Sequence, residues 1–160
     1  MIRPFARHYD TIYADKDYDS DIAVLAALCE SKGLAGSRVL EIGAGTGSHS
    51  VRVAPLVKEL VSLEIDPDFA ELARRKIAAS DNSNVRLAAE PIERFADSRF
   101  DGAAAFFHVL NYIAPANRLA FIDALAARLL PGAWFITDIW NGDAVLRDPP
   151  RCEIRNKTQG

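Results

Sequence analysis

The feature that most constrains this chain is a short apolar run broken by alternate glycines: Val39-Leu40-Glu41-Ile42-Gly43-Ala44-Gly45-Thr46-Gly47. Such a run reads as a buried strand that turns at once into a helix. A glycine turn at that junction lets a ligand approach the backbone and meet a helix N-terminus. The spacing separates ligand classes. A dinucleotide pyrophosphate calls for G-x-G-x-x-G, and Ser48 stands where the third glycine of that pattern would fall. Glu41, just before the loop, would face a cation better than a phosphate.

The remaining chain repeats the strand–helix alternation. Leu60 to Asp66 (LVSLEID) reads as a second strand, Val85 to Ala89 as a third, and RFDGAAAFFHVL contains a fourth. Ala133 to Trp140 (AWFITDIW) reads as a fifth, after a turn at Pro131-Gly132. Between them, Thr46 to about Val57 predicts a helix that Pro55 must kink or end. Asp66-Pro67 opens another with Phe69, Leu72, Ala73 and Ile77 on its apolar face. Pro115 opens a third, with Leu119, Ile122, Leu125, Ala126 and Leu129 as its apolar stripe. Ahead of the first strand, Ser20 or Asp21 caps a helix carrying Ile22, Leu25, Ala26 and Cys29, stopped by Gly33. The first eighteen residues show no clean period, so a mobile or ligand-ordered arm is expected there. This is a doubly wound, mostly parallel α/β sheet of five strands. It divides into an arm and helical cap (1–35), a ligand-binding domain (36–140) and a short tail (141–160).

Composition narrows the function. With 160 residues, 19 Lys+Arg and 22 Asp+Glu, the net charge is −3, which offers no footprint for a nucleic acid. No apolar run reaches the ~20 residues of a membrane span, so a membrane partner is not expected. Cys29 and Cys152 form neither a disulfide framework nor a zinc spacing, no metal site is expected, and a cytoplasmic setting fits. Cys29, among alanines and leucines, reads as a small buried hydrophobe.

Glu64, at the end of the second strand, can accept both hydroxyls of a ribose; Asp66 is the alternative by a two-residue slip. V-L-E-I-G-A-G-T-G followed by V-S-L-E-I-D-P-D-F-A-E-L-A-R resembles the class I S-adenosylmethionine-dependent methyltransferases, whose sheet is Rossmann-like. Within that family the chain is most similar to small-molecule and sugar-nucleotide N-methyltransferases. It shares their tyrosine-bearing arm, a G-T-G-x-H loop ending at His49, and an F-H-V-L-N-Y stretch. The resemblance implies S-adenosylmethionine as cofactor, held by Glu41, Gly43, Ala44, Gly45 and Gly47, with Glu64 on the ribose and Ile65 and Phe107 beside it. Pro91 stands where the family usually has an adenine-binding acid. That leaves Glu90, or the backbone near Ile92, for the adenine.

Methyl transfer from a sulfonium needs alignment more than acid–base help, and a base only when the acceptor arrives protonated. His108, just past the fourth strand, is the candidate base, with packing between Phe107 and Val109 as its structural alternative. His49 reads as a supporting group. Tyr9 and Tyr13 (and Tyr18) either close over the ligands or hold the arm down; Asn111 and Trp140 border the expected acceptor pocket. Two other functions stay open at this point: a nicotinamide-dependent oxidoreductase, and a cofactor-binding module without turnover. Finally, family members continue past the fifth strand with a helix and two more strands. The tail NGDAVLRDPPRCEIRNKTQG holds at best one short strand, Cys152 to Arg155. A truncated chain is expected, with an apolar fifth-strand edge that invites a homodimer.

Overall fold

The computed structural model describes residues 2–33 and 36–149, so Cys152 and the Cys152 to Arg155 strand lie outside the described residues. Five strands form one parallel sheet: β1 (Arg38–Ile42), β2 (Glu59–Leu63), β3 (Val85–Ala88), β4 (Phe100–Ala105) and β5 (Leu129–Thr137). Their spatial order is β3-β2-β1-β4-β5. The chain runs outward from β1 to β3, then returns to the other side of β1 as β4. The carboxyl ends of β1 and β4 therefore flank the point where the order reverses, the crevice in which open α/β sheets bind ligands.

Alternation along the strands builds two cores. Leu40, Val61 and Ala103 face one side of the sheet, where Phe95, Phe100, Phe121 and Leu125 cover them. Val39, Leu60 and Ala104 face the other, under Ile22, Leu25 and Cys29 of α2 (Tyr18–Lys32) and Val53 of α3 (Ser50–Val53). Asp17 caps α2 by accepting the Ser20 N–H at 3.0 Å, and Gly33 ends it at φ 64°. Asp66 caps α4 (Pro67–Ala78), accepting N–H groups of Asp68 and Phe69. No described helix is long and apolar enough to cross a membrane.

The structure corrects four expectations. The arm contains a helix, α1 (Pro4–Ile12): Pro4 suits a first helical position, and Phe5, Tyr9 and Tyr13 recur every four residues along one face. The helix expected from Thr46 to Val57 shrinks to α3 and a 3-10 turn at Ala54–Leu56. The glycine turn lasts until His49, and Pro55 cannot donate the next helical bond. In α6 (Arg118–Ala126) the seam is Phe121 and Leu125, whereas Leu119 is 79% and Ile122 44% exposed. Leu129 leaves that helix to begin β5. Pro131-Gly132 is a bulge inside β5 rather than a turn before it: Phe100 pairs Leu129, and the ladder resumes at Gly102 with Trp134. Proline supplies no ladder N–H, and Gly132 at φ 83° turns the extra residues out. The chain also has two short helices not expected from sequence, α5 (Val109–Tyr112) and α7 (Gly142–Arg147).

Candidate cofactor cleft at the sheet reversal

The glycine loop springs from the end of β1. Gly43 and Ala44 both donate N–H groups to the Leu63 carbonyl at 2.9 Å, which ties the loop to β2. Gly45 has φ 57° and open space where a Cβ would stand, so the backbone there faces the cleft bare. Gly47 has a different reason: a Cβ would sit 3.1 Å from the Ala73 Cα of α4.

Glu64 closes this turn from the neighbouring strand. Its Oε2 accepts the Gly45 N–H at 2.7 Å and its Oε1 the Asp66 N–H at 2.8 Å. The carboxyl is 8% exposed, and burial raises its pKa against the pull of those N–H groups. Each oxygen keeps a lone pair for a ligand hydroxyl. Asp66 also lines the cleft, but its carboxylate caps α4 and pairs with Arg3.

Loop and carboxylate open into a cleft of about 360 Å³ walled by aromatic rings. Tyr9 and Tyr13 of the arm, Phe69 of α4 and Phe107 after β4 line it, together with Ile65, which is 72% exposed at its rim. Tyr9 meets Phe69 edge-on at 5.0 Å and Tyr13 meets Phe107 likewise at 5.0 Å. Burial holds the Tyr9 hydroxyl well above the usual tyrosine range, so it stays a neutral donor.

Several residues of the cleft were not singled out by sequence reasoning, or only weakly. His49 lines it at 7% exposure, its ring stacked on Phe106 and its Nε2 2.8 Å from Asp21 Oδ2. Burial lowers the His49 pKa and Asp21 only partly restores it. Lys16 completes the chain, with Nζ 2.5 Å from Asp21 and 4.4 Å from the Phe107 ring centre. Phe5, Val109 and Tyr112 also reach the cleft. The fourfold spacing of Phe5, Tyr9 and Tyr13 was the available signal; nothing in the sequence paired Asp21 with His49.

Other residues expected at the site lie outside its lining. Glu41 is 1% exposed behind the loop, and its Oε2 accepts the hydroxyls of Ser50 and Ser62, each at 2.6 Å. Ile92 belongs to the core beside Phe95, and Glu90 is half-buried after β3. His108 sits just beyond the cleft. Its backbone N–H donates to Asp138 Oδ1 at 3.0 Å and its ring packs edge-on against Trp140. Nδ1 is 3.0 Å from Asp138 Oδ2, yet too oblique for a hydrogen bond. Phe107 and His108 are both left-handed, at φ 64°. Two such non-glycine residues in succession store strain at the lip of a cleft, a pattern concentrated at functional sites. The Trp140 N–H meets Asn111 Oδ1 at 3.5 Å on the same lip.

A strand-end glycine turn, a buried carboxylate on the next strand and an aromatic cleft at the sheet reversal define a cofactor-binding α/β domain. The chain belongs to the methyltransferase domain family, whose model matches residues 39–132. It is 27% identical over 139 residues to dTDP-3-amino-3,6-dideoxy-alpha-D-glucopyranose N,N-dimethyltransferase of Streptomyces fradiae, covering 84% of this chain and 52% of that protein. It is 38% identical over 85 residues to ribosomal RNA small subunit methyltransferase A of a Nostoc species, covering 51% of this chain and 28% of that one. Among solved structures, an S-adenosylmethionine-bound amino pentose methyltransferase from Micromonospora echinaspora superposes with TM-score 0.71 at 26% identity, over 82% of this chain and 56% of that one. A methyltransferase from Clostridium acetobutylicum gives 0.72 at 26% identity, over 84% and 56%. The chain thus spans about half or less of the length of these relatives.

Proposed function

We propose that this protein transfers the methyl group of S-adenosylmethionine to a small-molecule acceptor. The observation that carries the reading is Glu64, a buried carboxylate that braces Gly45 and turns its free lone pairs into the aromatic cleft. The cofactor supplies an activated methyl group on a sulfonium, so the protein's share is alignment and exclusion of water.

The chain's own residues divide that work. Gly43, Ala44 and Gly45 offer backbone to the methionine and ribose parts, Gly47, outside the lining, lets the loop pack on α4, and Glu64 accepts the ribose hydroxyls. Ile65 and Phe107 flank the nucleoside. Ile92 supports that wall from the core, and Glu90, after β3, is the proposed partner of the adenine amino group. Glu41 acts from behind, holding Ser50 and Ser62 so that the loop keeps its shape. Tyr9 and Tyr13 bound the acceptor side, while Asn111 and Trp140 form its outer lip. His108, beside them and next to Asp138, is the proposed base for a protonated acceptor. The arm 1–35, domain 36–140 and tail 141–160 remain the proposed division of the chain.

A small acceptor is supported by the aromatic walls of the cleft and the net charge of −3. The match to the ribosomal RNA enzyme covers only about half of this chain, whereas the amino-sugar enzyme matches 84% of it. The free thiol of Cys29 is in keeping with a reducing cytoplasm. Calorimetry with S-adenosylhomocysteine tests cofactor binding, and single-turnover transfer from labelled cofactor tests the reaction. Weaker binding in Glu64→Ala is expected; a parent chain that does not bind would overturn the reading.

A further inference from the structure

α1 fully buries only Ala6, and it is held against α4 by the Phe5 and Tyr9 rings on Phe69 and by polar contacts near its two ends. At its start, Arg3 pairs with Asp66 and with Asp68, the latter at 2.7 Å. At its end stands Lys76, in the last turn of α4. The ammonium of Lys76 directs its three protons to Ser48 Oγ at 2.6 Å, Asp10 Oδ2 at 2.7 Å and Thr46 Oγ1 at 3.1 Å. The Thr46 hydroxyl in turn donates to Asp10 Oδ1 at 2.6 Å. Thr46 and Ser48 belong to the glycine loop and are 2% and 8% exposed. Asp10 follows Tyr9, whose ring walls the cleft.

One ammonium therefore joins the loop that receives the cofactor to the helix that covers it. An exposed ion pair contributes little. Here, however, the charge is shared among buried hydroxyls and a carboxylate in short, charge-assisted bonds. Lys76 itself does not line the cleft, so any effect on the cofactor passes through Thr46, Ser48 and Asp10.

We propose that Lys76 is a positioning residue for cofactor capture: it sets the Thr46–Ser48 segment of the glycine loop and, through Asp10, closes α1 over the cleft. The proposal rests on the cofactor reading above. With one fully buried side chain, α1 relies on the Phe69 ring contacts and on this clasp, so releasing the clasp lowers the cost of its local opening. Cofactor exchange then proceeds through release of the Lys76–Asp10 contact.

The test compares the 160-residue parent with Lys76→Met, Lys76→Arg and Asp10→Asn. Lys76→Met should bind S-adenosylhomocysteine about tenfold more weakly, the loss expected of a charge-assisted contact. Most of that change should lie in a faster dissociation rate, and kcat at saturating cofactor should stay within about twofold. Lys76→Arg should recover part of the affinity, and Asp10→Asn should reproduce part of the loss. Amide exchange in the free protein gives a readout that needs no ligand: α1 should exchange faster in Lys76→Met while α2 is unchanged. Affinity and α1 exchange equal to the parent's in Lys76→Met would overturn the clasp alone. A loss of protection throughout the molecule would make Lys76 a fold residue and overturn it too. A parent that does not bind S-adenosylhomocysteine overturns the cofactor reading, and the clasp with it.

Discussion

Glu41 and Glu64 stand at the ends of adjacent strands, and burial raises the pKa of both carboxyls. Their partners differ, and so do their consequences. Glu41 accepts only hydroxyls, so its charge has no cation to offset the loss of water. A carboxyl whose folded pKa is raised gives stability below its unfolded pKa and loses it as pH rises through the folded one. Glu41→Gln should therefore flatten the decline in melting temperature as pH rises above the ordinary carboxylate range, relative to the parent. An unchanged pH slope would show that Glu41 is not the group responsible. Glu64→Ala should weaken S-adenosylhomocysteine by about 1–3 kcal/mol, the usual cost of leaving buried polar groups unpaired, whereas Asp66→Ala should lower stability and spare affinity. Calorimetry on the pair decides which acid meets the ribose. For His108 the suitable variant is Asn, which tolerates the left-handed backbone. If the imidazole is the base, turnover falls about 10²–10⁴-fold with cofactor affinity kept within a few-fold; unchanged turnover makes His108 a packing residue.

At the level of elements, the pairing of β4 with β5 shows how one residue type governs an interface. A Cβ at Gly102 would lie 2.1 Å from the indole of Trp134, directly across the ladder. Gly102→Ala should cost about 1–3 kcal/mol by overpacking, read as a lower denaturant midpoint. No such loss would mean that the indole swings aside. The strands and their sequence order were legible because each is a short apolar run bounded by Gly, Pro or Asp. The α6 seam was less so: Leu119 and Phe121 are both large and apolar, and only the direction of the sheet beneath decides which turns inward. α1 is not legible from a core-facing period because its aromatic face points into a cleft.

For the molecule as a whole, β5 is an edge strand of the sheet among the described residues, and the segment that follows it exposes apolar side chains: Ile139 is 64% and Trp140 53% exposed. An edge with unpaired backbone groups and apolar neighbours promotes pairing with a second chain. Light scattering should show concentration-dependent self-association that Ile139→Lys reduces. A parent that stays monomeric at all concentrations would remove the proposed fifth-strand homodimer.

The sequence by itself determined the parallel sheet, the glycine turn and the acid that follows the second strand, because those depend on local periodicity and on backbone freedom at Gly43 to Gly47. Tertiary structure alone decided that Glu41 faces Ser50 and Ser62 instead of the cleft, that His49 meets Asp21, and that Lys76 joins Thr46, Ser48 and Asp10. These contacts bring together residues separated by 9 to 66 positions. Each depends on how the strands register or where the helices settle on the sheet, and no local propensity encodes that distance.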